Sequence, residues 1–122
     1  MSAGKTNRGS LRTDSLTRLH WAGIVLALLT GIIHLALGIP AVPSALGISF
    51  VFAGIGFFAG IGLVLVDYRR QLVYLVGIPF IGIQIVLYFV LNWPDVWNPG
   101  GIGDKLIQSA LIVVLVVLYR RT

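Results

Sequence analysis

Four apolar runs of similar length, separated by short polar breaks, most constrain what this chain can fold into. They cover 16–38, 45–66, 71–91 and 102–119. Each is close to the about 20 helical residues needed to cross the hydrocarbon core of a bilayer. The composition agrees, since only 11% of the residues are charged, whereas about a quarter are charged in a soluble domain. We therefore predict an all-α integral membrane protein with four transmembrane helices.

The basic residues predict how this bundle is oriented. Eight of the nine Lys and Arg residues flank the termini or the break at 67–70, and only Lys105 lies on the other side. Because cytoplasmic segments carry the excess of Lys and Arg, we expect an N-in/C-in bundle in the cell membrane. Residues 1–14 are then a flexible basic cytoplasmic tail, and 15–122 form a single transmembrane domain. Charges placed this way indicate the lipid bilayer as a partner and argue against nucleic acid.

Small residues recur at intervals of about four in the first two runs. They are Gly23, Ala27 and Gly31 in the first run, and Ser49, Ala53, Gly56 and Gly60 in the second. Small side chains mark helix contacts in membranes, because they let two backbones approach closely. We therefore expect the first two helices to cross at these positions, either within one chain or in a homo-oligomer.

Polar side chains within the runs fall at one depth, in the half of the membrane away from the termini. They are His34, Ser49, Gln84, Tyr88 and Gln108. Polar groups in hydrocarbon are costly unless they are paired, so we expect these to face one another inside the bundle. Two interpretations stay open: a hydrogen-bonded layer that fixes helix register, and a ligand-binding pocket around His34. Asp104 and Lys105 are expected in the outer loop, with Asp104 as the N-cap of the fourth helix, so that no charged residue lies in the membrane core.

His20 and His34 are separated by a fourteen-residue step, which leaves them within about 40° of each other on a helix. Membrane b-type cytochromes use the same step to offer one axial histidine to each of two haems. A single chain cannot supply the second histidine of each site, although a parallel two-fold dimer can. No cofactor is expected if both rings are structural, and haem is the alternative that the sequence leaves open.

Residue patterns typical of an enzyme are missing from the sequence. There is no nucleophile–base pair, no cluster of metal ligands and no phosphate-binding loop. The absence of cysteine excludes disulfides and iron–sulfur clusters. We therefore expect no catalytic residue and no metal site.

The order of LTRLHWAGIVLALLTGIIHLALG, PSALGISFVFAGIGFFAGIGLVLVDYRRQLVYLVGIPF and a terminal LVVLYRR resembles a family of small haloarchaeal membrane proteins without an assigned function. The resemblance covers nearly the whole chain and implies a plasma-membrane protein in a salty environment. It brings no catalytic motif, so no residue role is carried over. In size the chain also resembles small four-span exporters, but these carry an acidic residue in the first helix, which this chain lacks.

Three roles for a non-enzymatic membrane protein follow as expectations. The first is an assembly or accessory subunit that packs against a second copy or another membrane protein through the glycine-rich helices. The second is a cofactor-binding or small-ligand binding protein that uses His34 and the outer polar layer. The third is a passive pore for a small neutral solute, formed by the same residues.

Overall fold

A computed structural model describes residues 13–121, in which four α-helices form an antiparallel bundle. The helices are α1 (Arg18–Gly38), α2 (Ala45–Leu65), α3 (Arg70–Asn92) and α4 (Pro99–Arg121). All four are long and apolar enough to cross a membrane, which agrees with the predicted class. The tail predicted over 1–14 lies outside the described residues, except that its last two residues belong to a 3-10 turn at Thr13–Ser15.

Side-chain caps begin α1 and α2. Thr17 precedes α1, and its Oγ1 accepts a hydrogen bond from the backbone N–H of His20 at 3.4 Å. The His20 ring completes a reciprocal pair, since its Nδ1 accepts from the backbone N–H of Thr17 at 3.0 Å. Ser44 Oγ accepts from the backbone N–H of Gly47 at 3.1 Å, which confirms the N-cap that a serine before an apolar run predicts.

The fourth helix begins earlier than the apolar pattern predicts. Asn98 is its cap, because Oδ1 accepts from the backbone N–H of Gly100 at 2.9 Å and of Gly101 at 3.3 Å. Proline suits the first helical position, where its missing N–H would have no partner, so Pro99 can open the helix. The predicted cap, Asp104, therefore lies within α4 rather than before it, and that prediction is wrong.

Helices α1 and α2 approach closely because glycines leave no side chain between the two backbones. At Gly38 a Cβ would lie 2.8 Å from Cβ of Phe50 and 2.9 Å from the carbonyl oxygen of Gly47. At Gly54 a Cβ would lie 2.8 Å from the side chain of Leu35. Backbones can come this near only where one of them lacks a Cβ. The crossing of these two helices lies within one chain.

The small residues predicted to line that crossing face three different helices. Gly31 faces α2 and Gly23 faces α4, whereas Gly56 and Gly60 both face α3. The two alanines of the predicted ladders are partly buried: Ala27 and Ala53. Only part of the predicted ladder therefore lies where α1 meets α2.

The bundle is closed on three sides and open on the fourth. Helix α1 packs against α2 and α4, and α3 packs against α4, whereas α2 and α3 pack the most loosely of the neighbouring pairs. We call the end with the termini and the 66–69 turn the basic end, and the end with the 39–44 and 93–98 loops the loop end. Two apolar clusters fill the interior: Phe57, Ile81 and Leu111 in the middle, and Val64, Tyr74 and Leu118 nearer the basic end.

Gly38→Ala is expected to destabilise the bundle by about 1–3 kcal/mol, the usual cost of overpacking. The atoms that a methyl group would meet include backbone atoms of α2, which cannot rotate away. Gly62→Ala is the matched control, because nothing lies within 4 Å of a Cβ at that position, and alanine favours a helix over glycine. Thermal unfolding in detergent micelles, followed by circular dichroism, compares the two variants. Equal unfolding temperatures would contradict the close crossing.

Candidate functional site

An ion pair lies inside the bundle near the loop end. Asp104 Oδ2 and Lys105 Nζ are 3.1 Å apart, and the two residues are only 6% and 9% exposed. Because α4 begins at Pro99, both residues lie about 8 Å along it at 1.5 Å per residue. The sequence predicts both residues in an outer loop. That prediction is wrong, because both lie within α4 and are buried inside the bundle.

Asp104 connects α4 to α1. The hydroxyl of Thr30 donates to Asp104 Oδ1 at 2.7 Å, and Thr30 is fully buried. One carboxylate oxygen is thus held by this hydroxyl and the other by the ammonium of Lys105. A hydrogen bond to a charged group contributes about 1.5–3 kcal/mol, so this single contact holds α1 and α4 in a defined register.

Lys105 connects α4 to α3 through two amide side chains. Its Nζ donates to Gln108 Oε1 at 2.6 Å, and Gln108 Nε2 donates to Gln84 Oε1 at 2.7 Å. The same Nζ lies 5.3 Å from the centroid of the Tyr88 ring, within the range of a cation–π contact. Polar side chains therefore join α4 to α1 on one side and to α3 on the other.

His34 extends this network along α1. Its Nδ1 lies 2.8 Å from the backbone oxygen of Thr30, and a carbonyl oxygen can only accept. Nδ1 therefore carries the hydrogen, and in the neutral ring Nε2 is an acceptor. The ring centroids of Phe50 and Phe57 lie 5.1 and 5.6 Å from that of the imidazole. We call the connected residues the polar cluster: Thr30, His34, Gln84, Asp104, Lys105 and Gln108.

One amide group of the polar cluster has no acceptor among residues 13–121. The ammonium of Lys105 must face an oxygen, so Oε1 of Gln108 faces it, and Nε2 of Gln108 then faces Oε1 of Gln84. This order leaves Nε2 of Gln84 buried without a hydrogen-bond partner. A buried donor without an acceptor costs about 1–3 kcal/mol. Such groups are commonly satisfied by a water molecule or ion that binds beside them.

The loop between α3 and α4 covers the polar cluster. Tyr88 Oη donates to the backbone oxygen of Val96 at 2.8 Å, and Val96 is fully buried. Gly101 lies directly against the Tyr88 hydroxyl, where a Cβ would collide with it. Glycine therefore lets the first turn of α4 close over the phenol. Trp93 and Trp97 in the same loop are exposed, as is typical of side chains that anchor a helix end at the membrane interface.

The polar cluster contains part of the predicted set of ligand-binding residues. Three of them belong to it: His34, Gln84 and Gln108. Tyr88 lies beside it, above the ammonium of Lys105. Ser49 lies on the exposed surface of α2, where its hydroxyl donates to a backbone oxygen of its own helix. His20 lies at the basic end, in the cap of α1.

Three members of the polar cluster were not predicted from the sequence: Thr30, Asp104 and Lys105. Helical spacing could have indicated two of them, because Thr30 and His34 are four residues apart, as are Asp104 and Gln108. Side chains at this spacing lie on one face of a helix. Within residues 13–121, no three His, Asp or Glu side chains are grouped so that they could hold a metal ion.

Asp104→Asn and Lys105→Met are each expected to destabilise the protein by about 3–5 kcal/mol, because each leaves one buried charge without its partner. The double variant is expected to be more stable than either single variant, since neither charge remains. The unfolding temperatures of the three variants and the wild type, measured in one detergent, form a double-mutant cycle. Losses that simply add in the double variant would show that the two charges are not coupled.

Comparison with known proteins gives a family for this chain and no further relative. No curated protein and no solved structure matches it. Residues 6–119 match a family described as a family of unknown function, DUF7475. The matched range includes every residue of the polar cluster and almost all of the four helices. The chain therefore belongs to the family of unknown function DUF7475.

Proposed function

We propose that this protein is a multi-pass membrane protein that binds a small polar solute at the polar cluster and catalyses no reaction of its own. Four helices with the length and hydropathy of membrane spans, and membership of a family without an assigned function, fit a membrane protein. The specific role rests on one observation. A charged pair and an unpartnered amide donor lie in one polar cluster inside the bundle.

Stability alone is a poor reason for the Asp104–Lys105 pair. Removing two charges from water costs more than their attraction returns unless further hydrogen bonds are made, and apolar residues of similar volume commonly serve as well. Ionisable residues within transmembrane segments are rare and usually mark a functional site. The pair therefore supports a binding role more strongly than a purely structural one.

Two donor groups of the polar cluster have hydrogens that its acceptors do not take up. Nε2 of Gln84 has two hydrogens and no partner. The ammonium of Lys105 has three hydrogens and two oxygen partners, on Asp104 and Gln108. Donor hydrogens beside the ammonium suit a solute with oxygen acceptors, such as a small oxyanion or a carboxylate.

The apolar interior beneath the polar cluster supports binding rather than passage. The side chains of Phe57, Ile81 and Leu111 fill the middle of the bundle. Among the described helices, no polar side chain continues the cluster through that layer. A passive pore within one chain therefore has less support than a binding site confined to the polar cluster.

The other two expected roles also have less support than solute binding. Assembly through α1 and α2 would use glycines such as Gly31 and Gly56, which pack against Phe58 and Phe80 of the same chain. Haem at His34 would need open space beside the imidazole, and the rings of Phe50 and Phe57 occupy part of it. We therefore include neither an accessory role nor a cofactor in the proposed function.

Acetate, phosphate, nitrate and glycine are the probes for this site, each titrated against the purified protein at constant ionic strength. At least one of them is expected to raise the unfolding temperature, because a ligand that binds only the folded state stabilises it. Gln84→Leu is expected to weaken the binding of that probe at least fivefold, because a typical hydrogen bond contributes about 1 kcal/mol.

Ser49→Ala is the matched control for this titration, because it also removes a polar side chain of the outer half but one that lies outside the polar cluster. It should leave the affinity unchanged. The proposal fails if no probe changes the unfolding temperature, or if Gln84→Leu and Ser49→Ala bind the effective probe equally well.

The proposed orientation places both termini in the cytoplasm and the loop end outside, in the plasma membrane of a haloarchaeal cell. The chain has no cysteine, so labelling of one introduced cysteine shows on which side of the membrane that residue lies. Asp95→Cys lies in the loop between α3 and α4, and Gln71→Cys lies at the basic end; both positions are exposed. A membrane-impermeant maleimide should label Asp95→Cys in intact cells and Gln71→Cys only after lysis. The opposite result would reverse the orientation.

A further inference from the structure

The open side of the bundle forms an apolar groove near the basic end. It lies between α2 and α3 and has a volume of about 400 Å³, within the roughly 300–1,000 Å³ range of small-molecule pockets. Glycines line both walls: Gly56 and Gly60 in α2, and Gly77 in α3. We call this cavity the α2–α3 groove. It lies at the opposite end of the bundle from the polar cluster and has no part in the function proposed above.

Two polar side chains with hydrogens to donate line the α2–α3 groove. Tyr74 is 1% exposed, and its hydroxyl is buried without a hydrogen-bond partner in the part of the chain that the structure describes. Nδ1 of His20 accepts the backbone N–H of Thr17, so Nε2 carries the hydrogen in the neutral ring. The two ring centroids are 6.4 Å apart. A buried hydroxyl without a partner is costly unless an acceptor binds, so this pair points to an occupant that carries oxygen.

A positive charge lies at the opening of the groove at the basic end. Arg69 lines that opening and is exposed. The neighbouring Arg70 is paired with Asp67, with Nε and Oδ1 3.4 Å apart, so Arg69 supplies the charge that faces the groove. Basic side chains beside a membrane surface attract anionic headgroups. The charge at the opening therefore selects for a negatively charged occupant.

We propose that the α2–α3 groove binds an anionic phospholipid from the leaflet at the basic end, with one of its chains lying in the groove. Tyr74 lies about 7 Å deeper than Arg69 along the helix axis, and Phe80 lies about 9 Å deeper still. From the surface inward, the groove thus offers a cation, hydrogen-bond donors and an apolar wall. A phospholipid carries matching groups in the same order: the phosphate, the oxygens that join glycerol to the chains, and the hydrocarbon.

The width of the groove favours a single hydrocarbon chain over a helix from a second copy. The ring of Phe80 reaches across it, and its Cζ lies 2.9 Å from where a Cβ on Gly56 would be. A helix with its side chains is about 10–12 Å across, so it cannot enter between α2 and α3 at this point. A hydrocarbon chain is narrower and reaches the groove directly from the bilayer.

The test uses the purified full-length chain in detergent, titrated with phosphatidylglycerol or with phosphatidylcholine that carries the same chains. Native mass spectrometry counts the bound lipid, and the unfolding temperature is followed in parallel. We expect phosphatidylglycerol to bind about fivefold more tightly or better, because each basic side chain near the headgroup adds to the attraction. Equal binding of the two lipids would remove the role assigned to Arg69.

Tyr74→Phe separates a ligand-binding role of the hydroxyl from a structural one. Removing an unpartnered hydroxyl should leave the lipid-free unfolding temperature unchanged or higher, whereas the affinity for phosphatidylglycerol should fall about fivefold. Arg69→Asn should remove the preference for the anionic lipid, since asparagine tolerates the left-handed backbone at φ 51° but carries no charge. Arg120→Asn, which lies at the same end but outside the groove, is the control.

Gly60→Leu and Gly62→Leu form a second matched pair. Gly60 lines the groove and has space beside it, with the nearest atom at 3.8 Å, whereas nothing lies within 4 Å of Gly62. Leucine should block lipid binding at Gly60 only. The proposal is overturned if Tyr74→Phe and Gly60→Leu bind phosphatidylglycerol as the wild type does, or if Gly60→Leu instead abolishes a dimer. Neither result bears on the polar cluster, which Gln84→Leu tests with soluble probes.

Discussion

The ion pair of Asp104 and Lys105 needs hydrogen-bond partners that three different helices supply. A buried carboxylate and a buried ammonium both need further hydrogen-bond partners. Thr30 in α1 supplies one, Gln108 in α4 supplies another, and Gln84 in α3 then serves Gln108. A slide of α4 by one turn, about 5.4 Å, would break the bonds to α1 and α3 at once. Apolar packing is far more tolerant of such a slide, so the pair fixes the register of α4.

The contact between α1 and α2 is stabilised in another way. It depends on the absence of side chains at positions such as Gly38 and Gly54, so that the two helices touch through backbone and small groups. The bundle thus combines a polar connection from α1 through α4 to α3 with a glycine-based contact from α1 to α2. Helices α2 and α3 lack the polar connection, and at Gly56 the glycine faces the ring of Phe80 rather than a backbone. The ring of helices opens between these two.

Much of the fold follows from the sequence, because a chain in lipid must supply whole spans and must pair its polar groups. The same reasoning brings three members of the polar cluster to one depth. Asp104 and Lys105 are not predicted, because hydropathy does not indicate that Asn98 caps a helix. With this cap, α4 begins at Pro99, a few residues earlier than predicted, and both charged side chains lie inside the bundle. Periodicity also shows which residues share a face but not which neighbour that face meets. Gly56, for example, faces α3 rather than α1.

Phe57 stands between the two halves of the molecule. One side of its ring lies beside the imidazole of His34, and it also meets the ring of Phe80 edge to face, with the centroids 5.3 Å apart. Phe57 thus belongs both to the surroundings of the polar cluster and to the wall of the α2–α3 groove. A substitution at this one position would change the packing beside both.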